Sequence, residues 1–346
     1  MKKIIALTDY KNKFGSKHFD KPYRSGMDKD LVRLEFEKFN FSIDFIPFSK
    51  CINGENLFKD CYYIYTSSED VGYHYKNFIE DQILYLEDNG CNVIPSYKYL
   101  RANNNKVFME LLRKSTQDRD MLSIKSQVFG TYEETVENME TFSFPVIIKK
   151  SEGASGRGVY MAENFEQLKN TLKKVAKTAN LFHDLKEIGR TYKHKGYKKE
   201  SKYRSKFIVQ NMIPNLKNDW KVYYFMDKLY IFYRPILKHR KFKASGGGYD
   251  NYSYATEAHI PDGIFNFVEK VMGYFNVPHA SLDIAYDGSS FHLIEIQFIY
   301  FGTAGIPYSD GYFSKVNNDW QFIKNKLSIE EVYVQSIVRF IENSNF

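Results

Sequence analysis

The stretch that decides the fold is residues 144–161, FPVIIKKSEGASGRGVYM. An apolar run at 145–148 predicts a buried strand that ends in Lys149, and a second strand-like run begins at Val159. Between them stand three glycines, Gly153, Gly156 and Gly158. Glycine lets backbone N–H groups turn toward an anion, and a neighbouring lysine adds a positive charge for phosphate oxygens. The pattern therefore predicts a loop that binds a nucleoside triphosphate.

Three better-known nucleotide loops are excluded by the sequence. The string G-x-x-x-x-G-K-[ST] of a Walker loop does not occur. A dinucleotide fingerprint is G-x-G-x-x-G at a strand-to-helix turn, whereas this loop reads G-x-x-G-x-G between two predicted strands. In protein kinases the lysine follows the glycine loop, and H-R-D and D-F-G come later; here the lysine precedes the loop and neither motif occurs.

A glycine hairpin whose first strand supplies a lysine resembles the ATP-grasp superfamily, and the chain is similar to its carboxylate–amine ligases of the ribosomal-protein glutamate ligase and D-Ala-D-Ala ligase types. The resemblance covers residues 100 to 300 or so. It implies an earlier ATP lysine at a helix start, which Lys106 matches after Asn105. It also implies an adenine hinge strand, matched at 207–213. The implied ATP-binding residues are Lys106, Lys149, Gly153, Ser155, Gly156, Gly158, Gln210, Asn211, Met212 and Ile213.

The same resemblance implies a magnesium site in residues 281–298, SLDIAYDGSSFHLIEIQF, with Asp283, Glu295 and Gln297 as ligands. The family has Asn at the last position, and Gln offers the same carbonyl oxygen on a longer stem. Strand alternation places Glu295 and Gln297 on one face, about 6–7 Å apart. A three-residue turn at 288–290 would put Asp283 opposite Glu295, whereas a two- or four-residue loop would put it on the other face. The alternative for Glu295 is an exposed strand residue.

Cations that follow the hinge are candidates for the chemistry. Lys221 follows Asp219, Arg234 ends the next predicted strand, and Lys238, Arg240 and Lys243 precede a triple glycine. A triphosphate and a developing acyl phosphate require preorganised positive groups. The resemblance favours Arg234 and Lys243 as the catalytic pair, and the alternative is ordinary surface charge.

Length and patterning predict the fold class. The chain has 346 residues, more than one typical domain. Strands alternate with helices over the first hundred residues, which favours a parallel α/β sheet. We expect an α/β protein with α+β elements: an ATP-grasp fold with an N-terminal Rossmann-like pre-ATP-grasp domain. The expected domains are residues 1–102, 103–209 with the glycine loop, and 210–346 with the hinge and metal site.

Cysteine use and hydropathy bear on location. Three cysteines at 51, 61 and 91 are an odd number without metal-ligand spacing, which indicates reduced thiols and a cytoplasmic protein, and gives a catalytic cysteine no support. No stretch is apolar enough to cross a membrane, and the N-terminal MKKIIALTDY is typical of a first strand.

Positive charge is concentrated in residues 190–206, RTYKHKGYKKESKYRSK, which hold eight Lys or Arg and one Glu. Outside this basic segment the numbers of basic and acidic residues are equal. One interpretation is a lid or arm that attracts an anionic substrate, such as an acidic glycan or peptide. Nucleic acid is not favoured, because no RNA-binding motif accompanies the charges. The alternative is a solvated, mobile surface loop.

The resulting hypothesis is an ATP-dependent carboxylate–amine ligase that uses ATP and two Mg²⁺ ions, forms an acyl phosphate, and releases ADP and phosphate. Its substrates would be carboxylates and amines that are small molecules or are carried by a peptide or glycan. Two alternatives are a kinase on the same scaffold and a nucleotide-binding module that has lost turnover, with Gln297 as its signature. The sequence identifies neither the substrates nor the oligomeric state.

Overall fold

A computed structural model describes residues 2–17, 25–51, 59–153, 156, 158–178, 180–214, 216–236, 253–254 and 260–344. The chain forms two compact units. The first unit combines Met1–Asn103 with Leu216–Phe346, and the second is the contiguous stretch Asn104–Asn215. The division into three domains at residues 102 and 209 stays a prediction.

The N-terminal part of the first unit alternates strands with helices. In order these are β1 (Lys2–Thr8), α1 (Lys29–Lys38), β2 (Phe41–Pro47), α2 (Phe48–Cys51), β3 (Tyr62–Tyr65), α3 (His74–Asp88), β4 (Asn92–Ile94) and α4 (Tyr97–Ala102). The strands pair in the order β2-β1-β3-β4, and every pairing is parallel. The predicted parallel α/β arrangement is therefore confirmed.

The second unit is built on an antiparallel sheet. Its elements are α5 (Lys106–Ser115), β5 (Ser126–Phe129), α6 (Tyr132–Glu137), β6 (Val146–Lys150), β7 (Val159–Ala162), α7 (Phe165–Val175), α8 (Leu181–Lys193) and β8 (Phe207–Asn211). The strand order is β5-β8-β6-β7. One face of the sheet packs against α7 in an apolar core that includes Val146, Ile148, Phe207, Val209, Leu168 and Leu172.

The C-terminal part of the first unit carries the larger sheet. Its elements are β9 (Asn218–Phe225), β10 (Lys228–Pro235), β11 (Ser253–Tyr254), α9 (Ile264–Gly273), β12 (His279–Tyr286), β13 (Phe291–Gln297), β14 (Tyr312–Val316), β15 (Asp319–Ile323) and α10 (Ile329–Asn343). The order is β13-β12-β9-β10-β14-β15, and β11 pairs with β10. One apolar cluster joins Ile4 and Ala6 of β1 to Tyr223, Phe232, Val334 and Ile337, so both sheets of this unit share a core.

Two local predictions differ from the structure. The sequence of residues 219–235 predicts a hairpin that turns at Asp227 and Lys228, but β9–β10 turns at Met226 and Asp227, because Lys228 already pairs with Phe225. The first four residues of the basic segment, which the sequence suggests is either a lid or arm or a surface loop, form the last turn of α8. Among the helices of the described ranges, none combines the length and the hydropathy needed to cross a bilayer.

Candidate functional site

The glycine hairpin of the second unit is formed by β6 and β7. Lys149 pairs with Val159, and the backbone N–H of Lys150 donates to the carbonyl of Gly158 at 2.8 Å. Gly153, Gly156 and Gly158 all have positive φ angles, of 110°, 69° and 87°. A Cβ atom on Gly158 would come within 3.2 Å of the Lys150 side chain. The loop therefore requires glycine for its backbone conformation. Ser155 lies outside the described residues.

Lys106 lies against this loop. Its backbone N–H donates to the carbonyl of Ser151 at 2.8 Å, and its Nζ donates to the carbonyl of Gly153 at 2.6 Å. Asn105 caps α5 by accepting from the Phe108 N–H, and it also accepts from the Ser151 hydroxyl at 2.9 Å. These bonds tie the start of α5 to the end of β6. Two lysine-bearing segments that are more than 40 residues apart in sequence thus meet at one loop.

Lys149 lies on the sheet face opposite the apolar core. It is paired with Ile208 of β8, and Gln210 is paired with Ile147, so these four side chains share a face. Lys149 and Gln210 are both buried. The positive charge of Lys149 makes this face suited to a ligand that carries negative charge.

The predicted hinge follows on the same strand. Asn211 is the last residue of β8, and its N–H donates to the carbonyl of Lys125 at 2.9 Å. The N–H of Met212 makes a longer contact, 3.4 Å, with the carbonyl of Pro145. Met212 and Ile213 are half-buried. Because its contact with Pro145 is long, the Met212 N–H is the backbone donor at this strand end that a nucleobase could most easily bind.

In the first unit, three predicted metal ligands lie on one face of the larger sheet. Asp283 is directly opposite Glu295 in the β12–β13 pairing, and Gln297 lies two residues further along β13. Residues that face each other across an antiparallel pair point to the same side. The arrangement predicted from strand alternation is therefore present in the structure.

The predicted cause of this register is wrong. The β12–β13 connection has four residues, 287–290, because Tyr286 pairs with Phe291. Such a loop alone would turn Asp283 to the opposite face from Glu295. The register shifts at Asp283/Ile284, where Ile294 forms a β-bulge between the paired Leu293 and Glu295. The extra residue reverses the parity and returns Glu295 to the side of Asp283.

Two cations hold Asp283. Lys221 Nζ lies 2.8 Å from its Oδ1, and Arg234 Nη2 lies 2.9 Å from its Oδ2. Arg234 also binds Asp219 through two parallel hydrogen bonds of 2.6 Å each. All four side chains are buried. Arg234 thus lies at the centre of this buried cluster, while Lys243, which the resemblance pairs with it, lies outside the described residues, as do Lys238 and Arg240.

The two buried aspartates differ in acidity. Burial by itself would raise the pKa of Asp283, but the Arg234 and Lys221 cations outweigh it and hold that pKa well below its usual range. Burial raises the pKa of Asp219 to about 6, since the attraction of Arg234 is opposed by the charge of Asp283. Asp283 is therefore the carboxylate that remains ionised under all ordinary conditions.

The donor set on this face fits Mg²⁺. Asp283 and Glu295 supply two hard carboxylate oxygens, and Gln297 adds an amide carbonyl. Magnesium is commonly bound through one or two carboxylates, with water and phosphate oxygens as its other ligands. Within the described ranges, no group of three or more His, Cys, Asp and Glu side chains could hold a metal by itself.

Comparison with known proteins identifies the architecture. Residues 102–187 match the family model described as RimK-like ATP-grasp domain. A RimK domain protein ATP-grasp from Sphaerobacter thermophilus superposes with a TM-score of 0.52 at 10% identity, over 98% of this chain and 100% of that one. The chain has the ATP-grasp fold. The resemblance seen in the sequence is thus confirmed at the level of the fold.

Two further ATP-grasp neighbours have equally low identity. A RiPP-associated ATP-grasp ligase from Chryseobacterium gregarium, solved with ADP and a leader and core peptide, matches with a TM-score of 0.53 at 12% identity, over 99% of this chain and 98% of that one. N5-carboxyaminoimidazole synthetase from Staphylococcus aureus, complexed with ADP, gives 0.56 at 10% identity, over 97% and 77%. Among curated proteins, no sequence matches this chain.

Sequence reasoning undervalued Asp219 and Lys221. The sequence singles out Asp219 only as the acidic neighbour of Lys221, and the resemblance favours Arg234 and Lys243 over Lys221. The structure brings Asp219 and Lys221 into direct contact with Arg234 and Asp283 respectively. Two sequence features could have predicted this cluster. The strand period of two puts positions 219 and 221 on one face, and a two-residue hairpin turn pairs Asp219 with Arg234.

Proposed function

We propose that this protein is an ATP-dependent carboxylate–amine ligase. The observation that carries the proposal is the sheet face on which buried Asp283 lies opposite half-buried Glu295 while Lys221 and Arg234 contact Asp283. Carboxylates for a metal and cations for transferred phosphate are the two requirements of phosphoryl transfer, which enzymes catalyse mainly by positioning and charge stabilisation.

The second unit would hold the nucleotide. In this proposal Lys106, Lys149 and the glycine hairpin, including Ser155, bind the α- and β-phosphates. The contacts of Lys106 with the loop support this assignment, because they already place its ammonium group beside Gly153. Residues 210–213 would bind adenine, with Gln210 and Asn211 at the end of β8 and the Met212 N–H as a backbone donor.

The metal would be held by Asp283, Glu295 and Gln297. When bound, Mg²⁺ neutralises the charge of the β- and γ-phosphates and polarises the γ-phosphoryl group. Arg234 is fixed by Asp219 and therefore costs little reorganisation when negative charge develops nearby. Lys243, if it joins Arg234, would add a second cation for the same charge.

The proposed reaction has two steps. An oxygen of the substrate carboxylate attacks the γ-phosphorus, the bond from that phosphorus to the β–γ bridging oxygen breaks, and ADP leaves. The amine then attacks the acyl carbon of the resulting acyl phosphate, inorganic phosphate departs, and the amine loses a proton as the amide forms. Arg234 and Lys221 would stabilise the negative charge that builds up on the phosphoryl oxygens during both steps.

The two alternatives predict different products. A kinase would leave the phosphate on a hydroxyl acceptor and release none. A binding module would bind Mg-ATP without turnover; the feature in its favour is Gln297, together with the cation already present on each oxygen of Asp283. Phosphorus NMR and mass spectrometry of the products separate all three.

The experiment is ATP turnover by the purified protein with Mg²⁺ and a panel of amino acids, acidic peptides and uronate-bearing sugars. A ligase releases ADP and phosphate only when a carboxylate and an amine are both present. Glu295→Ala should abolish this release, whereas Glu269→Ala, which removes a carboxylate from an exposed ion pair with Lys315, should not. Equal turnover in Glu295→Ala and the wild type would contradict the proposal.

A further inference from the structure

Helix α8 presents its apolar side to solvent. Leu181, Leu185, Ile188 and Tyr192 follow helical spacing, and their exposed fractions are 77%, 59%, 45% and 89%. Phe182 lies beside them and is also exposed. The one buried residue of the helix is Glu187. A helix of a globular protein normally buries its apolar stripe and exposes its charges, and α8 does the opposite.

The inverted orientation is held by specific bonds. The Glu187 carboxylate accepts from Arg190 at 2.6 Å, from the Tyr197 hydroxyl at 2.8 Å and from the Glu200 N–H at 3.0 Å. Asp184, one turn earlier, forms an ion pair with Lys202. The polar side of α8 is thus bonded to residues 197–202, which follow the helix in the sequence. These bonds on the polar side fix the orientation of α8, and its apolar side is therefore exposed in the folded structure.

The exposed stripe continues into a basic end. Between Leu181 and Tyr192 the stripe is about 16 Å long at the rise of an α-helix. Directly beyond its C-terminal end lie four exposed lysines, Lys193, Lys195, Lys198 and Lys199. The surface consequently has an apolar part along the helix and a cationic part next to its C-terminal end. A complementary partner has an apolar face followed by acidic residues.

We propose that α8 and residues 193–199 form a docking surface for an acidic, amphipathic helical peptide that carries the group to be ligated. This inference rests on the proposed ligase function for the role of the peptide. The side-chain ridges of one exposed helix pack into the grooves of a second helix. The lysines gather mainly at one end of the stripe, which suits a partner with a defined direction better than the uniform charge of an anionic membrane.

The probe for the test is a fluorescein-labelled synthetic peptide with leucines at helical spacing followed by a run of glutamates. Its anisotropy is titrated with the full chain. The wild type should bind it saturably, and a scrambled peptide of the same composition should bind far more weakly. The double variant Leu185→Ser/Ile188→Ser should weaken binding about tenfold or more, as loss of two central apolar contacts does at interfaces. Lys198→Ser/Lys199→Ser should weaken binding at low salt and reduce its salt dependence.

The matched control is Leu34→Ser, which removes a similarly exposed leucine from α1 and should leave binding unchanged. The inference is overturned if the wild type does not bind the peptide, if the scrambled peptide binds equally well, or if the α8 variants bind like the wild type. Phosphatidylserine vesicles that recruit the wild type through α8, in place of the peptide, would also overturn it.

Mg-ATP binding measured on the same samples keeps the two proposals separate. The α8 variants should bind Mg-ATP like the wild type, because their changes lie on exposed side chains of this helix. If the wild type docks the peptide but does not bind Mg-ATP, the ligase function fails and the docking surface stands.

Discussion

At the scale of single residues, Arg234 organises the candidate site. Its guanidinium makes a two-bond pair with Asp219 and a further contact with Asp283, all away from solvent. A planar guanidinium satisfies two carboxylates at once, which the point charge of a lysine does less well. The position of Asp283, and hence of the carboxylate pair, depends on this arrangement.

Removing Asp219 should therefore destabilise the protein strongly. Asp219→Ala leaves a buried guanidinium with one carboxylate partner fewer, and breaking such a pair typically costs about 3–5 kcal/mol. The free energy of unfolding from urea titration measures this. Asp310→Ala, which breaks an exposed pair with Lys326, should change it by less than about 1 kcal/mol. Similar losses in the two variants would show that the buried network does not have the stabilising role assigned to it.

Gln297 stands where the resemblance implies Asn in the proposed metal site. If its carbonyl oxygen contributes to the metal site, Gln297→Asn should retain Mg²⁺-dependent ATP binding, and Gln297→Leu should raise the Mg²⁺ concentration needed for half-saturation by about tenfold or more. Calorimetric titration of Mg²⁺ at fixed ATP gives this value. Equal Mg²⁺ requirements for the leucine variant and the wild type would exclude Gln297 from the site.

At the scale of elements, register accounts for what sequence could and could not foresee. The alternation along β13 correctly placed Glu295 and Gln297 on one face, because the strand period depends only on local geometry. The bulge at Ile294 has no distinctive residue type that would allow its prediction from the sequence. The pairing of Asp283 with Glu295 was therefore predicted correctly, but from a three-residue turn that the structure does not have. Helix α8 is not among the sequence predictions because its last turn lies in a run of charge, and the helical spacing of its apolar residues does not reveal which side is exposed.

The polar anchor of α8 should be measurable by pH. Hydrogen bonds from the Glu200 N–H, the Tyr197 hydroxyl and Arg190 hold the pKa of Glu187 at about 2, below its usual value of about 4.3. A lowered folded-state pKa means that the stabilisation is complete above about pH 4.3 and is lost as pH falls toward 2.

Hydrogen exchange followed by NMR tests this anchor. Glu187→Ala should speed exchange of the Glu200 amide at neutral pH, and the difference from the wild type should shrink below pH 4.3 or so. A matched variant, Glu166→Ala at the exposed start of α7, should leave that amide unaffected. A difference that persists unchanged to pH 2 would contradict the role given to the carboxylate.

At the scale of the whole molecule, the two units differ in whether they are formed by one contiguous stretch of the chain or by two separate stretches. The second unit is contiguous and has its own apolar core on α7. The first unit joins residues that are distant in sequence, since β1 shares one cluster with β9, β10 and α10. The parallel N-terminal sheet and the ATP-grasp fold could be predicted from strand–helix alternation and motif order. That the N-terminal sheet packs against α10 could not be predicted, because no local sequence pattern indicates which distant helix covers a sheet.

Fragments test this division. Residues 104–215 expressed alone should unfold in a single cooperative transition in urea. Residues 1–103 alone should not, because Ile4, Phe36 and Ile64 would lose the part of their core that residues 216–346 supply. Circular dichroism during urea titration gives both results. A cooperative transition for 1–103 alone would show that its sheet needs no partner from the C-terminal part.

The most direct test of the central claim is calorimetric binding of ATP with and without Mg²⁺, comparing the wild type with Glu295→Ala and the control Glu269→Ala. The account predicts that Mg²⁺ strengthens ATP binding to the wild type and to Glu269→Ala. In Glu295→Ala the strengthening should be lost, while metal-free binding persists. ATP binding that is absent from the wild type, or that responds to Mg²⁺ equally in Glu295→Ala, would contradict it.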